Sequence, residues 1–347
     1  MSLIFVREKS TPYGGAENYM SRLIKSLERS GHKLGVVNSP ISSIFPSWFR
    51  VVFFNIYLCL RKKNNFYFSL ERIVCPDIYR AGDGVHRVFL KRMSKSSINP
   101  LHALYKFLER KCFINAKKII ANSEMVKKEI VENYSIPSEK IAVIYNGIEI
   151  LNQCVELEPD KSYFKDLNLD TRKITFLFVG NGFERKGLYD FIDIIDSLRE
   201  MNVQAIIIGR DKNSSDYSRY IENKNLGNII RLIGNREDVN LFYKLSDFVI
   251  LPTKYDPFSN VILEAMNFSN VVITTKQNGS SEILDKEWIM KSHDDLSVKR
   301  NILFAIKNKS YLNETKIKNF EISLKFSIEK NASKTVELIK EVYDNKY

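Results

Sequence analysis

Short apolar runs of strand length alternate with amphipathic helical segments along most of this 347-residue sequence. This alternation restricts the fold more than any other feature, because strands joined through helices run parallel in a sheet that is covered on both faces. It predicts an α/β fold with doubly wound parallel sheets, whose ligands bind at the carboxyl ends of the strands. The runs are, in chain order, SLIFV, KLGVVN, KKIIANS, KIAVIYN, ITFLFVGN, QAIIIGR, IIRLIGN, DFVILPT and NVVITT.

The polar and acidic residues 149–172 interrupt the alternation and indicate a linker between two halves. A chain of this length can bury two cores of ordinary size. We expect an N-terminal domain over residues 1–150 and a C-terminal domain over residues 151–324. A helix over about residues 325–347 can pack back on the N-terminal domain.

Composition limits the class of protein. Hydrophobic residues make up 44% and charged residues 27%, as in folded soluble proteins. No apolar run reaches the roughly 18–20 residues that span a bilayer. The four cysteines form no CxxC pair, the four histidines are scattered, and no Asp-x-Asp pair occurs. These features predict neither a disulfide framework nor a metal site, and a reducing cytoplasm is the expected location.

The net charge of +12 is concentrated in residues 84–128, which contain eleven Lys or Arg and two Glu. A membrane lipid, a nucleic acid or an acidic glycan would complement this block, and two ordinary solvated helices would explain it equally well. Apolar and basic residues interleave in HRVFLKRMSKSS and YKFLERKCF, so this region is the better candidate for membrane contact. The aromatic residues 48–63 are predicted to pack as core, with an interfacial helix as the alternative.

Residues 256–264, DPFSNVILE, connect the run DFVILPT to a predicted helix that begins after Pro257. The amino terminus of a helix has unpaired N–H groups and a partial positive charge, which suit a phosphate. The two acids Asp256 and Glu264 are suited instead to accept hydrogen bonds from hydroxyl groups. Together these features indicate a sugar phosphate such as a nucleotide sugar.

Arg185 and Lys186 follow the run ITFLFVGN in the glycine-flanked segment GNGFERKG. Adjacent cations at the carboxyl end of a strand suit a diphosphate whose negative charge grows as it leaves. A solvated pair at a helix start is disfavoured, because cations oppose the helix dipole there. Gly14 and Gly15, after the first run, would let a ligand approach the backbone, although any tight turn can use glycine. The pattern GxGxxG is absent, which weakens the interpretation as a nicotinamide or flavin protein.

Asp83 and His86 follow a short predicted strand in the segment DIYRAGDGVH. The Asp-Gly step predicts a turn that leaves both side chains near the expected ligand site. The Asp83 carboxylate can contact a sugar acceptor and help with its proton, or it can simply support the turn. The local sequence favours neither role. A Ser-His-Asp site is not predicted, because the GxSxG segment is missing.

Taken together, these segments resemble the retaining glycosyltransferases of family 4, which have the GT-B fold of two Rossmann-like domains facing across a cleft. The resemblance covers nearly the whole chain. Within the family it is greatest to the enzymes that add glucose to heptose in lipopolysaccharide cores. No single segment would suffice; the set is PYGGAENYMSRLIKSLERSGHKLGVV, DIYRAGDGVH, IIANSEMVKKEI, EKIAVIYNGIE, FLFVGNGFERKG, DPFSNVILEAM and NGSSEIL.

The resemblance implies roles for the candidate catalytic and donor-binding residues. Arg185 and Lys186 would bind the donor diphosphate, Glu264 the ribose hydroxyls and Asp256 the donor sugar, and Asp83 would lie beside the acceptor. Asp256 stands where the family has glutamate, and Ser259 where it has glycine. The backbone of Phe258, Ser259, Asn260 and Val261 would also meet the diphosphate, and Gly14 and Gly15 correspond to the family's N-terminal glycine loop.

The resemblance also implies a partner for the basic block. The related enzymes dock an acceptor-side basic region on the inner membrane, and this region corresponds to the stretch that begins at His86. An anionic membrane surface would therefore meet the acceptor side of the chain. The residues expected there are His86, Arg87, Lys91, Arg92 and Lys95.

The resemblance implies a metal-independent, retaining hexosyl transfer from a nucleotide diphosphate sugar to a lipid-linked saccharide such as the lipopolysaccharide core. The expected nucleotide is UDP, and the expected sugar is glucose or galactose. The enzyme would use no cofactor and would associate peripherally with the inner membrane from the cytoplasm. Capsule, teichoic acid or protein glycan assembly is the alternative pathway. Two other classes are a sugar-nucleotide epimerase, which needs no acceptor, and a nucleic-acid-binding protein, for which no recognised motif is present.

Overall fold

The computed structural model describes residues 3–8, 15–29, 34–42, 44–63, 65–95, 99–150 and 161–344. The chain divides into two compact units. The first comprises Met1–Gly147 and Ile328–Tyr347, and the second comprises Ile148–Ser327. Each unit contains one six-stranded parallel sheet with helical connections, so the α/β fold predicted from the alternation is confirmed.

The N-terminal unit begins with a strand and continues in βα order. Its strands are β1 Leu3–Val6, β2 Leu34–Val37, β3 Phe66–Ser69, β4 Ile78–Ala81, β5 Lys118–Ala121 and β6 Ile141–Val143. Its helices before the second unit are α1 Gly15–Arg29, α2 Ser47–Arg61, α3 His86–Arg92, α4 Pro100–Asn115 and α5 Glu124–Tyr134. The strand order is β2-β1-β3-β4-β5-β6, and all neighbours are parallel.

The C-terminal unit repeats this plan. Its strands are β7 Ile174–Val179, β8 Val203–Ile208, β9 Ile230–Gly234, β10 Phe248–Leu251, β11 Val271–Thr275 and β12 Ile289–Met290. Its helices are α6 Lys161–Asp166, α7 Phe183–Lys186, α8 Leu188–Asp196, α9 Ser214–Asn223, α10 Val239–Leu245, α11 Asn260–Asn267, α12 Val298–Lys307 and α13 Lys309–Ser323. The strand order is β12-β11-β10-β7-β8-β9. Phe176 and Phe248 stack between the two central strands, with ring centroids 5.0 Å apart.

The last helix, α14 Ile328–Asp344, packs within the N-terminal unit. Its side chains Val336 and Ile339 belong to the same buried cluster as Phe68 of β3. The Tyr19 hydroxyl of α1 lies 3.3 Å from the Thr335 hydroxyl of α14. The end of the chain therefore completes the core of the unit that contains its beginning.

The order of strands reverses once in each sheet. In the C-terminal unit the chain runs outward from β7 through β8 and β9 on one side and continues from β10 on the other. In the N-terminal unit β2 lies to one side of β1, and β3 to β6 lie to the other. At such a reversal the connections diverge and leave a crevice outside the carboxyl ends of the two central strands. Ligands are therefore expected beside the loops that follow β7 and β10, and beside those that follow β1 and β3.

The prediction that residues 48–63 pack as core is correct for only one face of α2. Val51, Phe54 and Leu58 of α2 are buried, whereas Trp48 and Leu60 are exposed. Because apolar residues surround this helix, its sequence does not indicate which face is covered. Among the residues described, none of the helices has the length and apolar character needed to span a bilayer.

Candidate functional site

The loops that follow β7 and β10 meet at the reversal point of the C-terminal sheet. The Arg185 carbonyl accepts hydrogen bonds from the Lys254 N–H and the Thr253 hydroxyl, both at 2.9 Å. Gly187 has a φ of +77°, and a Cβ there would lie 2.0 Å from the Pro252 carbonyl oxygen. Glycine is therefore required at this close approach. The two loops are tied together through their backbones.

Arg185, Lys186 and Asp256 form one cluster between these loops. Lys186 Nζ donates to Asp256 Oδ2 at 2.6 Å, and Arg185 Nη1 donates to the same oxygen at 3.2 Å. Arg185 Nη1 also donates to the Tyr255 carbonyl at 3.0 Å, and Lys186 Nζ lies 3.4 Å from Ser259 Oγ. Residues that lie about seventy positions apart in the sequence thus share one carboxylate oxygen.

The cluster is largely buried, and its charges depend on one another. Lys186 is 7% exposed and Asp256 is 6% exposed. Burial raises the pKa of Asp256, but the Lys186 ammonium and the Arg185 guanidinium outweigh it and hold the pKa below the ordinary 3.8. Burial lowers the pKa of Lys186, and Asp256 opposes that shift. Two cations thus surround one ionised carboxylate, which leaves positive charge to receive an anion.

The position of the two cations differs from the one assumed in the sequence argument. Arg185 and Lys186 are the last two residues of α7, and α8 begins only after Gly187. They therefore do not oppose the dipole at the start of a helix, so that reason for rejecting a solvated pair does not hold. Burial of Lys186 against Asp256 is the stronger argument, because an unpaired buried charge is costly.

The helix start predicted after Pro257 is observed, since α11 begins at Asn260. The Ser259 N–H donates to Asn278 Oδ1 at 3.2 Å. The Asn278 side chain is fully buried and also accepts from the Ser280 hydroxyl at 2.7 Å. One of the four backbone groups predicted for the diphosphate is therefore bonded to Asn278. This asparagine positions the start of α11.

Glu264 lies half-buried in the second turn of α11. Its Oε2 accepts a hydrogen bond from the Tyr243 hydroxyl at 3.0 Å. Burial, followed by the charge of Glu264, raises the pKa of Tyr243 well above its ordinary value, so the phenol stays protonated and acts as donor. Asp256 precedes the helix and Glu264 lies within it, as the spacing predicts.

The N-terminal unit has a cavity of about 280 Å³ at its own reversal point. Arg7 and Glu8 follow β1, Glu71 and Arg72 follow β3, and Asp83 follows β4. Asp83 is exposed in the turn after β4. The remaining lining residues are Val51, Phe54, Asn55, Ile73 and Tyr105.

Charged groups that line this cavity form ion pairs, either within the lining or with a residue behind it. Arg7 Nη1 lies 2.9 Å from Glu71 Oε1, and Arg72 Nε donates to the buried Glu109 Oε1 at 2.9 Å. Burial raises the pKa of Glu71, while Arg7 opposes the shift. Glu8 Oε1 forms an ion pair with Arg50 Nη2 at 3.6 Å and has no hydrogen-bond partner among the described residues. Carboxylate oxygens that line a cavity in this way can accept hydrogen bonds from hydroxyl groups.

Four of the predicted acceptor-side residues lie on α3, Lys95 follows the helix, and the five differ in charge. His86 begins the helix, and its N–H donates to Glu109 at 2.8 Å. Burial, with a contribution from Arg72, lowers the pKa of His86 to about 4, so the ring is neutral near pH 7. Arg87, Lys91, Arg92 and Lys95 are exposed. Gly14 lies outside the described residues, and Gly15 is the first residue of α1.

Two descriptions of glycosyltransferases match the sequence. Residues 159–320 match Glycosyl transferases group 1, and residues 79–150 match Glycosyltransferase Family 4. The first match covers just under half of the chain and the second about a fifth, so each unit is similar to a family of glycosyltransferases. The C-terminal match contains the Arg185–Lys186–Asp256 cluster, and the N-terminal match contains Asp83 and α3.

Known proteins similar to this chain include named glycosyltransferases. The N,N'-diacetylbacillosaminyl-diphospho-undecaprenol alpha-1,3-N-acetylgalactosaminyltransferase of Campylobacter jejuni is 27% identical over 225 residues, which is 62% of this chain and 56% of that protein. The matched stretches span about half, 48–57%, of the curated relatives' own lengths.

Solved structures show the same fold at low sequence identity. WaaG, a glycosyltransferase involved in lipopolysaccharide biosynthesis, has a TM-score of 0.81 at 17% identity and covers 97% of this chain and 99% of its own. Anabaena HepE in complex with UDP has a TM-score of 0.75 at 16% identity and covers 98% of this chain and 100% of its own. These likenesses show that the chain has the GT-B fold.

Two residues that hold the site together were not predicted from the sequence. Asn278 and Tyr243 make the side-chain contacts to Ser259 and Glu264 described above. The Asn-Gly step in NGSSEIL marks a turn and is the only local signal for Asn278. In the described part of the chain, no group of three or more His, Cys, Asp or Glu residues is arranged to hold a metal ion.

Proposed function

We propose that this glycosyltransferase moves a hexose from a UDP-linked donor to a saccharide carried on a lipid. The observation that carries the proposal is the buried Lys186–Asp256 pair, joined by Arg185, at the reversal point of the C-terminal sheet. Two similar proteins support the chemistry. HepE is described in complex with UDP, and the Campylobacter relative is named for a sugar on diphospho-undecaprenol.

Each group of the C-terminal site has a proposed role toward the donor. Lys186 and Arg185 bind the diphosphate, and the positive end of α11 adds to their attraction. Glu264, held by Tyr243, accepts hydrogen bonds from the ribose hydroxyls. Asp256 orients Lys186 and contacts the donor sugar. An aspartate is one methylene shorter than the glutamate of the family, so the sugar would lie closer to the loop after β10.

The proposed reaction retains the configuration of the sugar and uses no covalent intermediate. The acceptor oxygen bonds to the anomeric carbon while the bond from that carbon to the diphosphate oxygen breaks. The acceptor proton passes to the departing phosphate oxygen on the same face. Arg185 and Lys186 stabilise the charge that develops on the phosphate, which is the task a metal ion performs in other transferases.

The acceptor sugar is assigned to the cavity of the N-terminal unit. Its volume of about 280 Å³ is close to the lower limit of small-molecule sites, roughly 300 Å³. Glu8, Glu71 and Asp83 would accept hydrogen bonds from its hydroxyls, and the bond to Asp83 would help the proton of the attacking hydroxyl to move to the departing phosphate oxygen. We propose a lipopolysaccharide or lipooligosaccharide core as the acceptor. Saccharides of capsule, teichoic acid or protein glycan assembly would satisfy the same chemistry.

An assay of the purified chain against a panel of UDP-, GDP- and ADP-sugars tests the proposal. Each donor is incubated with and without a lipid-linked saccharide, with and without EDTA, and the products are identified by mass spectrometry and anomeric NMR. We expect a UDP-hexose to be consumed, an α-linked donor to give an α-linked product, and EDTA to have no effect. Conversion of the donor to another UDP-sugar without an acceptor would indicate an epimerase, and loss of activity in EDTA would contradict metal independence.

A further inference from the structure

The helix α2 is apolar on two opposite faces, and only one of them is covered. Val51, Phe54 and Leu58 face the core of the N-terminal unit. The other face and the turn before it carry six of the fourteen large apolar side chains that are exposed among the described residues, so the exposed apolar surface is concentrated here. These are Ile44, Phe45, Trp48, Phe53, Ile56 and Leu60.

The aromatic rings on the uncovered face are ordered by their contacts with one another. Phe45, Phe49 and Phe53 are four residues apart and stack in a row, with centroids 5.0 and 4.1 Å apart. Trp48 packs edge-on against Phe49 at 5.8 Å. Trp48 is 56% exposed and Leu60, near the other end of the helix, is 74% exposed. A continuous apolar ridge thus runs along the outside of α2. We call the exposed apolar side chains within residues 44–60, together with the Phe49 ring, the α2 ridge.

Positive charge borders the α2 ridge. The helix contains no acid, its Arg50 is buried beside Glu8, and Arg61 and Lys63 are exposed at its carboxyl end. The neighbouring helix α4 packs against α2 and exposes Phe107, Arg110 and Lys111. Lys111 Nζ lies 5.8 Å from the centroid of the Phe107 ring. An apolar aromatic centre with a basic rim matches the boundary between acyl chains and anionic headgroups.

We propose that the α2 ridge docks this chain on an anionic bilayer surface, with its aromatic rings at the level of the headgroups. The inference deepens the proposed function, on which it rests for a lipid-linked acceptor, and it moves the main contact from α3 to α2. A second copy of the chain is a poorer occupant, because α2 contains no acid that could pair with the exposed cations of the rim. A nucleic acid would need cations at the centre rather than at the rim.

Co-sedimentation of the full chain with vesicles tests the docking surface. One set of vesicles contains phosphatidylcholine alone, and the other contains phosphatidylcholine with 30% phosphatidylglycerol, roughly the charge of an anionic leaflet. The variant Trp48→Ser/Phe53→Ser/Leu60→Ser should bind the anionic vesicles at least about tenfold more weakly than the wild type, because much of the inserted apolar surface is lost. The matched control Leu296→Ser/Phe304→Ser/Ile317→Ser removes equally large exposed apolar groups from the C-terminal unit and should bind like the wild type.

Tryptophan fluorescence of the wild type gives a second readout that does not depend on the folding of a variant. The sequence contains two tryptophans, and Trp288 is only 1% exposed, so a shift on binding reports Trp48. Anionic vesicles should shift the emission to shorter wavelength, lipids with quenchers near the headgroup should reduce it, and Trp48→Phe should abolish the shift. Unchanged emission of vesicle-bound protein, or wild-type binding by the α2 variant, would overturn the proposal.

Two further measurements separate this inference from its rivals. If sedimentation velocity showed a dimer that the α2 variant abolished, the ridge would be an interface between copies and the proposal would be wrong. The α2 variant should hydrolyse donor in solution at the wild-type rate. A failure of vesicle docking is therefore distinguishable from a failure of the proposed transfer chemistry.

Discussion

The reversal points of the two sheets carry opposite charge arrangements. In the C-terminal unit, two cations share the single carboxylate of Asp256, and Lys186 is buried with it. In the N-terminal unit, three carboxyl groups line one cavity with two guanidinium groups. Parallel topology determines where both sites lie. The side chains that follow each strand then determine which ligand suits them, a polyanion in one case and a polyol in the other. The cavity residues are Arg7, Glu8, Glu71, Arg72 and Asp83.

Among the changes that test this difference, removal of the buried Lys186 ammonium should lower turnover the most. Loss of one preorganised donor to a developing charge typically lowers turnover on the order of 10²–10³. We therefore expect Lys186→Ala to lose that much UDP-sugar turnover, measured as initial rates at saturating donor. Lys186→Met keeps most of the side-chain volume and separates loss of charge from loss of packing. Thermal melting of both variants checks that the unit remains folded.

Lys254→Ala is the matched control, since it removes the same charge from the loop after β10. The backbone N–H of Lys254, and not its side chain, bonds to the Arg185 carbonyl. Its turnover should stay near that of the wild type. Wild-type turnover in folded Lys186→Ala protein would mean that the cation-rich site does not hold the diphosphate.

A change in the acid-rich cavity should affect the acceptor and spare the donor. Asparagine supports the same turns as aspartate, so Asp83→Asn keeps the turn after β4 and removes only the charge. General-base assistance contributes on the order of 10² or more, and we expect transfer to fall about 10²-fold. Donor hydrolysis, measured without acceptor, should not change. Equal transfer by the variant and the wild type would assign Asp83 to the turn alone.

The comparison also shows how far the sequence predicts the structure. All nine apolar runs form strands, and the strand before Asp83 is β4. The strand β3, FYFS, was missed because a short apolar run of this kind is consistent with a strand or with part of a buried helix. Because β3 was not predicted, the cavity was not predicted either, since Glu71 and Arg72 lie in the loop after this strand. The C-terminal site was easier to predict because both of its loops follow recognisable apolar runs, ITFLFVGN and DFVILPT.

Contacts between residues that are distant in the sequence were not predicted in the C-terminal unit. Asn278 reaches Ser259 across 19 positions and Tyr243 reaches Glu264 across 21, and no local pattern encodes either pairing. The exposed face of α2 was missed for a related reason. A helix that is apolar all round satisfies core packing on either face, and only the tertiary structure shows which face remains uncovered.

The two sites should also respond differently to acid. Asp256 has a pKa held below its ordinary 3.8, so its contribution to stability is present above that value and is lost only below it. His86 lies at the other site, where its ring contacts His102 at 3.2 Å, and Arg72, Glu109 and Lys106 surround it. Its pKa is lowered from 6.5 to about 4. A depressed pKa gives stability that is full above the unfolded value and is lost as pH falls through the folded one.

The N-terminal unit should therefore lose part of its stability between about pH 6.5 and 4, a range in which the C-terminal cluster keeps its charges. After a discount for solvent screening of the partly exposed His86 ring, we expect the loss of unfolding free energy between pH 7 and 5 to be about 1 kcal/mol. Glu71, whose pKa is raised, acts in the opposite direction, so the effect must be measured as a difference. The advantage of the wild type over His86→Gln in urea unfolding should shrink by that amount as the pH falls. An advantage that stays constant from pH 7 to pH 5 would show that His86 titrates normally and that burial beside Arg72 does not hold it neutral.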